Sequence, residues 1–296
     1  MLNFTLSTIS RNCQAEMLSL RSSSSSVQDA IQYNKKFLED YSVNRPYLSQ
    51  TTCLELACLG KTKDLVDKRL YEYLLVDMAW NSSRLEGNTY SFLETKTLIE
   101  QKKIAEGKSI TDTQMILNHK EAIDFLQNKA IIHGLLDSGR VRETILTMHT
   151  LLARDLLFSG VGRLRKERVR IGNSRFLPLK YPEQIEACFD LITKTVAIIP
   201  NAFEQAFFLL VHLPYLQPFM DVNKRVSRLV ANIPLLHQTY FPLSFNDVPK
   251  DIYIDGLMAI YELNRVDILR EVFVWAYKRS VGLYTTKLGN QKIWNK

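Results

Sequence analysis

The segment Gln217–Arg228, QPFMDVNKRVSR, decides how this 296-residue chain is interpreted. The apolar helix predicted before it ends near Pro214, and a short loop that contains Asp221 follows. A new helix is predicted to begin at Asn223 or Lys224. The N-terminus of a helix exposes unpaired N–H groups and the positive end of the helix dipole. The segment therefore predicts a turn that binds phosphate.

The side chains of this segment suit a nucleotide phosphate. Arg225 and Arg228 are three residues apart, which places them on one side of the helix. Arg225 can donate a forked contact to phosphate oxygens, and Lys224 adds a point charge beside it. Asp221 can hold Mg²⁺, which bridges a carboxylate and the nucleotide phosphates. From the residues alone an alternative stays open, in which this is a solvated basic helix start capped by Asp221.

The rest of the chain has a mostly helical pattern, because Gly and Pro are sparse and apolar residues recur at spacings of three and four. Ser91 and Glu94 form a capping-box pattern at the start of one helix. Residues 168–179, RVRIGNSRFLPL, alternate instead and bend at Gly172-Asn173, which predicts a short β-hairpin. We predict an all-α fold with this small hairpin. Its longer helices are expected over 64–85, 112–127, 140–157, 182–197, 202–213, 224–238, 252–263 and from 266 to about 284.

The composition argues against several classes of protein. Its 46% hydrophobic and 23% charged residues are typical of a soluble globular protein, and its four cysteines form no metal-like cluster. The net charge of +7 suits an anionic ligand, but the basic residues are spread out, so nucleic acid is the least favoured partner. Ala206–Leu216 is too short to span a bilayer, and the N-terminus lacks a secretory pattern. We expect a cytoplasmic protein without a membrane partner, while secretion into another cell stays open.

The segment resembles the motif of the Fic (Fido) family, His-Pro-Phe-x-Asp/Glu-Gly-Asn-Gly/Lys-Arg-x-x-Arg. It differs at Gln217, where the family has His, and at Val222, where the family has Gly. Residues 82–87, SSRLEG, resemble the inhibitory helix of the class that carries it N-terminal to the core, with Ser82, Glu86 and Gly87 in the matching positions. The matching positions of the main motif are Pro218, Phe219, Asp221, Asn223, Lys224, Arg225 and Arg228.

This resemblance implies a Fic-type helical domain and a division of the chain. Residues 1–27, which end in a serine run, are expected to be a flexible N-terminal segment. Residues 28–110 are expected to hold the N-terminal helices with the inhibitory helix, and residues 111–284 the Fic-type core. Residues 285–296 are expected to form a C-terminal tail. The hairpin Arg168–Leu179 then corresponds to the family's flap, on which an unknown target protein docks by adding a strand.

The resemblance also implies a reaction, since Fic enzymes typically transfer AMP from ATP to a hydroxyl of a target protein. Glu86 pairs with Arg228 in this interpretation and blocks productive placement of the γ-phosphate. The implied ATP site has Asp221 on Mg²⁺, Asn223 and the backbone near residues 222–225 at the anion hole, Arg225 on the phosphates and Arg228 on the γ-phosphate. Lys224 also belongs to the implied nucleotide-binding residues.

Gln217 and Val222 weaken the expectation of ordinary AMP transfer. An imidazole accepts a proton near neutral pH, whereas an amide offers only hydrogen bonds. Losing a general base lowers a rate by about 10² to 10⁴. A β-branched residue also resists the positive φ that glycine adopts freely. The sequence therefore predicts an impaired adenylyltransferase, and the alternative is a non-catalytic module that binds a nucleotide or a protein.

His212 is the candidate for a substitute base, because it lies five residues before Gln217. Its position on a largely apolar helix favours a structural histidine instead. His119 and His149 also lie in predicted helices and are interpreted as structural.

Overall fold

Helices make up most of the structure, which confirms the predicted all-α class. The structure is a computed structural model that describes residues 4–22, 30–61, 68–126, 138–172 and 174–294. In chain order its elements are α1 (Thr8–Ser22), β1 (Ile31–Gln32), α2 (Lys35–Glu39), α3 (Gln50–Cys58), α4 (Lys68–Leu85), α5 (Phe92–Gln101), α6 (Ile110–Leu126), α7 (Ser138–Ala153), β2 (Phe176–Leu177), α8 (Pro182–Ile198), α9 (Ala202–Leu216), α10 (Asn223–Val230), α11 (Asn232–His237), α12 (Lys250–Leu263) and α13 (Asp267–Trp294).

Helix α9 lies between two hydrophobic cores, and all 15 of its residues are buried. Phe207 and Leu210 face the core formed with α12 and α13. Phe208 and Leu209 face the core formed with α7, α8 and α10. A helix that is apolar all round is expected to be buried on every side. Within the described ranges, no helix combines the length and apolar composition needed to cross a membrane.

Local capping chemistry sets several helix ends near the predicted positions. Ser91 Oγ accepts a hydrogen bond from Glu94 N at 3.2 Å, and Ser91 N donates to Glu94 Oε2 at 2.7 Å, so the capping box is confirmed. The predicted helix 224–238 is instead two helices, α10 and α11. Pro234 has no N–H to continue the hydrogen-bond ladder, which explains the break at Ala231. Residues 64–67 and Gln127, predicted to be helical, lie outside the described residues.

The structure has helix in two terminal regions for which the sequence predicted a flexible segment and a tail. Residues 8–22 form helix α1 and not a flexible segment, because Cys13 and Met17 share one face and are fully buried. Gln14 Nε2 also donates to Asp255 Oδ2 at 2.6 Å, which ties α1 to α12. Of the serine run, residues 23–26 lie outside the described part of the chain. Residues 285–294 continue helix α13 and do not form a separate tail.

The predicted hairpin over residues 168–179 is wrong, since the described residues there contain a single strand. Its strand, β2, pairs in parallel with the distant β1, with Ile31 opposite Phe176 and Gln32 opposite Leu177. The ring of Phe176 stacks on Tyr215 and Tyr261, at centroid distances of 4.9 and 5.4 Å. These long-range contacts select the partner of β2. The predicted bend includes Asn173, which lies outside the described residues.

Candidate nucleotide-phosphate site

The loop between α9 and α10 has left-handed backbone at both ends. Gln217 caps α9 with φ 50° and ψ 60°, and Val222 precedes α10 with φ 69° and ψ 1°. A left-handed conformation costs a non-glycine residue about 1–3 kcal/mol. The side chain of Val222 is 2% exposed and packs in the core beside α10, which offsets this strain. Val222 thus adopts the positive φ that a β-branched residue resists, and its burial compensates for the cost.

Asn223 holds this loop closed. Its Oδ1 accepts from Phe219 N at 2.9 Å, and its Nδ2 donates to Phe219 O at 3.0 Å and to Gln217 Oε1 at 2.9 Å. Gln217 Nε2 donates in turn to Pro214 O at 2.8 Å. Both ends of the Gln217 amide are thus hydrogen-bonded within the loop and its adjoining helix.

Arg165, which sequence reasoning missed, connects the loop to the flap segment 168–179. Its guanidinium is 2% exposed and donates to three main-chain carbonyl groups. These are Gln217 O at 2.6 Å, Glu167 O at 2.8 Å and Leu179 O at 2.8 Å. Burial lowers the pKa of Arg165 to about 10, so it stays charged at neutral pH. In the sequence Arg165 is a basic residue shortly before the predicted hairpin, and this position does not indicate burial.

Glu86 at the end of α4 contacts two cations of α10. Its Oε1 lies 2.7 Å from Arg228 Nη2, and its Oε2 lies 2.7 Å from Lys224 Nζ. Burial alone would raise the pKa of Glu86, but Arg228 and Lys224 lower it to about 2. The carboxylate is therefore ionised at neutral pH and balances part of the positive charge of α10.

Arg228 is held by more than this ion pair. Its guanidinium is 1% exposed. Nε donates to Ser82 Oγ at 3.0 Å, Nη2 to Ser82 O at 2.9 Å, and Nη1 to Tyr253 Oη at 3.1 Å. These contacts fix the plane of the guanidinium independently of Glu86.

His119 determines the direction of the hydrogen bonds of Ser82, which contacts Arg228. Its Nδ1 lies 2.8 Å from Met115 O, which can only accept, so Nδ1 carries the proton. Its Nε2, 2.9 Å from Ser82 Oγ, therefore accepts the serine proton. Ser82 Oγ is left with lone pairs to accept from Arg228. Burial lowers the pKa of His119 to about 3, which keeps the ring neutral.

Arg225 lies beside this network and has an unmatched donor. Its side chain is 7% exposed, and Nη2 is 3.8 Å from Asp221 Oδ2. Its Nη1 is buried and has no hydrogen-bond partner among the described residues. Burial also lowers the pKa of Arg225 from its ordinary value. The geometry thus brings together Asp221, Asn223, Lys224, Arg225 and Arg228, with Ser82 and Glu86 facing them from α4.

The part of the chain that contains the loop between α9 and α10 is similar to known proteins. Residues 140–235 match the sequence model of the Fic/DOC family. This part of the chain is similar to the Fic/DOC family. The match extends from α7 into α11 and includes the loop of the candidate site.

Relatives and solved structures show the same similarity. The protein adenylyltransferase fic-1 of Caenorhabditis elegans is 26% identical over 167 residues, which are 55% of this chain and 32% of that protein. The chain thus spans about a third of the length of this curated relative. The solved structure of residues 134–508 of C. elegans Fic-1 has a TM-score of 0.62 at 19% identity, covering 96% of this chain and 75% of that one. A Fic family protein from Desulfovibrio desulfuricans has a TM-score of 0.67 at 17% identity, covering 83% and 77%. These two structures share the fold.

The three predicted structural histidines are buried in this Fic-type fold. His212 lies in an aromatic cluster with Phe37 and Phe208, and its Nε2 is 2.7 Å from Tyr47 Oη. Burial lowers its pKa to about 3, which does not suit a general base at neutral pH. His149 stacks on Phe219 of the motif with a centroid distance of 3.9 Å. His149 therefore packs against the loop through Phe219, and His119 contacts Arg228 indirectly through Ser82.

Asp221 has the chemistry that a nucleotide-bound Mg²⁺ would need. Its side chain is 69% exposed, and its Oδ1 accepts from Val222 N at 2.6 Å. Mg²⁺ in nucleotide sites is held by one or two carboxylates together with phosphates and water. Among the described residues no group of three or more His, Cys, Asp and Glu side chains could bind a metal alone. The donor set therefore fits a metal that arrives with a nucleotide.

Proposed function

We propose that this chain is an ATP-binding protein of the protein-adenylyltransferase type in which AMP transfer to a target hydroxyl is impaired. The observation that carries the proposal is Nη1 of Arg225, a buried donor without a partner among the described residues. Such a donor costs about 1–3 kcal/mol, and more when it is charged. A phosphate oxygen at the N-terminus of α10 would remove this cost.

The surrounding residues then take defined roles toward ATP. Arg225 binds the phosphates, Asn223 shapes the anion hole, and Lys224 adds positive charge. Arg228 meets the γ-phosphate once Glu86 gives up its contact. Asp221 would hold Mg²⁺, which neutralises phosphate charge.

The impairment follows from the group at the base position. In AMP transfer, a target hydroxyl forms a bond to the α-phosphorus, the bond to pyrophosphate breaks, and the hydroxyl proton needs an acceptor. The Gln217 amide takes up no proton, and both of its ends are already hydrogen-bonded to Pro214 and Asn223. Without a base the reaction is expected to be slower by about 10² to 10⁴. These contacts also favour the second candidate function, a non-catalytic nucleotide- or protein-binding module.

Label transfer and ATP binding together test the proposal. The chain is incubated with ATP labelled on the α-phosphate and with lysate proteins as candidate targets, as wild type and as Gln217→His/Val222→Gly/Glu86→Gly. We expect weak or no protein labelling by wild type and clear labelling by the triple variant. Arg225→Ala in the triple variant is the control and should abolish labelling.

Other outcomes separate the two candidate functions. Strong labelling by wild type would contradict the impairment. ATP binding by calorimetry without labelling in any variant would favour the binding module. An absence of ATP affinity in both wild type and the triple variant would overturn the nucleotide site itself.

A further inference from the structure

One edge of strand β2 is covered by a segment from the N-terminal part of the same chain. Ile31 N donates to Arg175 O at 3.0 Å, and Tyr33 N donates to Leu177 O at 3.2 Å. Tyr33 also stacks on Tyr215 at a centroid distance of 4.6 Å. The segment 31–33 therefore makes the main-chain contacts that any extended peptide would make on this edge.

The residues just before β2 are anchored to α12. Phe176 N donates to Ser174 Oγ at 3.2 Å, and Ser174 Oγ donates to Glu262 Oε1 at 2.8 Å. Arg175 N lies 3.3 Å from the same oxygen and donates to it. Because Ile31 N and Tyr33 N occupy Arg175 O and Leu177 O, a foreign strand can pair with β2 at this edge only after residues 31–33 have left it.

We propose that Ile31–Tyr33 is a built-in competitor for the peptide-binding edge of the flap, and that a target segment binds by replacing it. This inference rests on the proposed AMP transfer to a target protein and on the expectation, from the family resemblance, that this target docks on residues 168–179. The main-chain ladder between β1 and β2 is two residues long, and a short ladder is readily exchanged for a longer one with the same bonds. The tether gives residues 31–33 an effective concentration of roughly millimolar, which weak peptides cannot overcome.

The competitor also indicates the kind of partner that fits this edge. Ile31 and Tyr33 are partly buried against the core around Tyr215, whereas Gln32 between them is exposed. Side chains of a strand alternate between its two faces. The expected partner is an extended peptide with an apolar residue and, two positions later, an aromatic residue.

A matched pair of proline variants tests the exchange. In a parallel ladder one residue makes both bonds and the next makes none, so Gln32 N–H does not pair with β2. Ile31→Pro removes the donor to Arg175 O, while Gln32→Pro removes an N–H that lies between the two donors and makes no such bond. The probe is a fluorescent peptide of residues 30–36, AIQYNKK, titrated in trans against the full chain and followed by fluorescence anisotropy. We expect Ile31→Pro to bind it about tenfold more tightly than wild type and Gln32→Pro.

Hydrogen exchange tests the displacement of residues 31–33 in the unaltered chain. This measurement does not depend on the folding of Ile31→Pro. Excess unlabelled peptide should accelerate exchange of the Ile31 and Tyr33 amides by displacing them from Arg175 O and Leu177 O. Equal peptide affinity in all three proteins, or unchanged exchange of these amides in wild type, would overturn the proposal. ATP affinity is measured on the same samples. Peptide exchange without ATP binding would count against the proposed function alone.

Discussion

Glu86 is a single carboxylate shared between Arg228 and Lys224, so any anion that binds these two cations must compete with it. The two states exchange one acceptor for another, and the balance depends on their difference in affinity. The pKa of Glu86 is lowered from 4.5 to about 2. Its contribution to stability is therefore fully present above about pH 4.5 and is lost as the pH falls through about 2. We therefore expect a rise in ligand concentration to displace the Glu86 carboxylate from Arg228 and Lys224, whereas a change of pH near neutrality should not.

The variant Glu86→Gln tests this competition at nearly constant side-chain volume. Removing the negative charge frees Lys224 and weakens the hold on Arg228, so ATP affinity should rise about tenfold, equal to about 1.4 kcal/mol. Isothermal calorimetry with ATP and Mg²⁺ measures the change. Glu121→Gln is the matched control, since it alters the net charge equally but breaks an exposed ion pair with Arg154. Equal ATP affinity in wild type and Glu86→Gln would contradict the competition.

At the scale of elements, Arg165 joins three parts of the chain that the sequence separates. It donates to Gln217 at the end of α9, to Glu167 just before the flap segment and to Leu179 at the end of that segment. A planar guanidinium can reach three carbonyl groups in different directions, which an ammonium cannot do without moving. The buried Arg165 side chain thus links the flap segment directly to the loop between α9 and α10.

Arg165→Lys should loosen this junction while keeping the charge. Leaving one or two buried carbonyl groups without a donor is expected to lower the free energy of unfolding by about 1–3 kcal/mol. Amides of residues 168–179 should also exchange with deuterium faster in Arg165→Lys than in wild type, whereas those of α9 should exchange at the same rate in both proteins. The control is Arg163→Lys, two residues away and exposed, for which neither quantity should change. Unaltered flap exchange in Arg165→Lys would show that Arg165 does not position this segment.

At the scale of the whole molecule, three neutral histidines inside the cores make the fold sensitive to mild acid. His119, His149 and His212 are all fully buried. Burial lowers their pKa values from 6.5 to about 3, 4 and 3. The unfolded chain takes up protons at these side chains below about pH 6.5, while the folded chain does not. Their contribution to stability is therefore complete above pH 6.5 and decreases as the pH falls.

Each buried histidine should contribute about 1.4 kcal/mol per pH unit to this loss below pH 6.5. Replacing His212 by Gln keeps an acceptor for Tyr47 Oη and removes one titrating group. The free energy of unfolding in urea, measured at pH 7, 6 and 5, should fall less steeply for His212→Gln by about that amount. The comparison uses the slope, so a change in overall stability does not affect it. Parallel slopes would contradict a neutral buried His212.

The sequence by itself determined what depends on neighbours within about one helical turn. Apolar spacing predicted the helices, and Ser91 and Glu94 predicted a capping box. The order of residues in Gln217–Arg228 predicted a loop followed by a helix with basic side chains. The mostly helical fold and the Fic resemblance followed from these local patterns. They could be predicted because capping and periodicity act between residues three or four positions apart.

Only the tertiary structure decided contacts between residues that are distant in the chain. It buried α1 through Cys13 and Met17, and it paired β2 with β1 instead of closing a hairpin. It also brought the Arg165 side chain to the carbonyl group of Leu179, and the His119 ring to the hydroxyl group of Ser82. Burial and long-range pairing depend on which surfaces meet, and a polar or basic residue carries no local sign of the carbonyl or hydroxyl that will satisfy it.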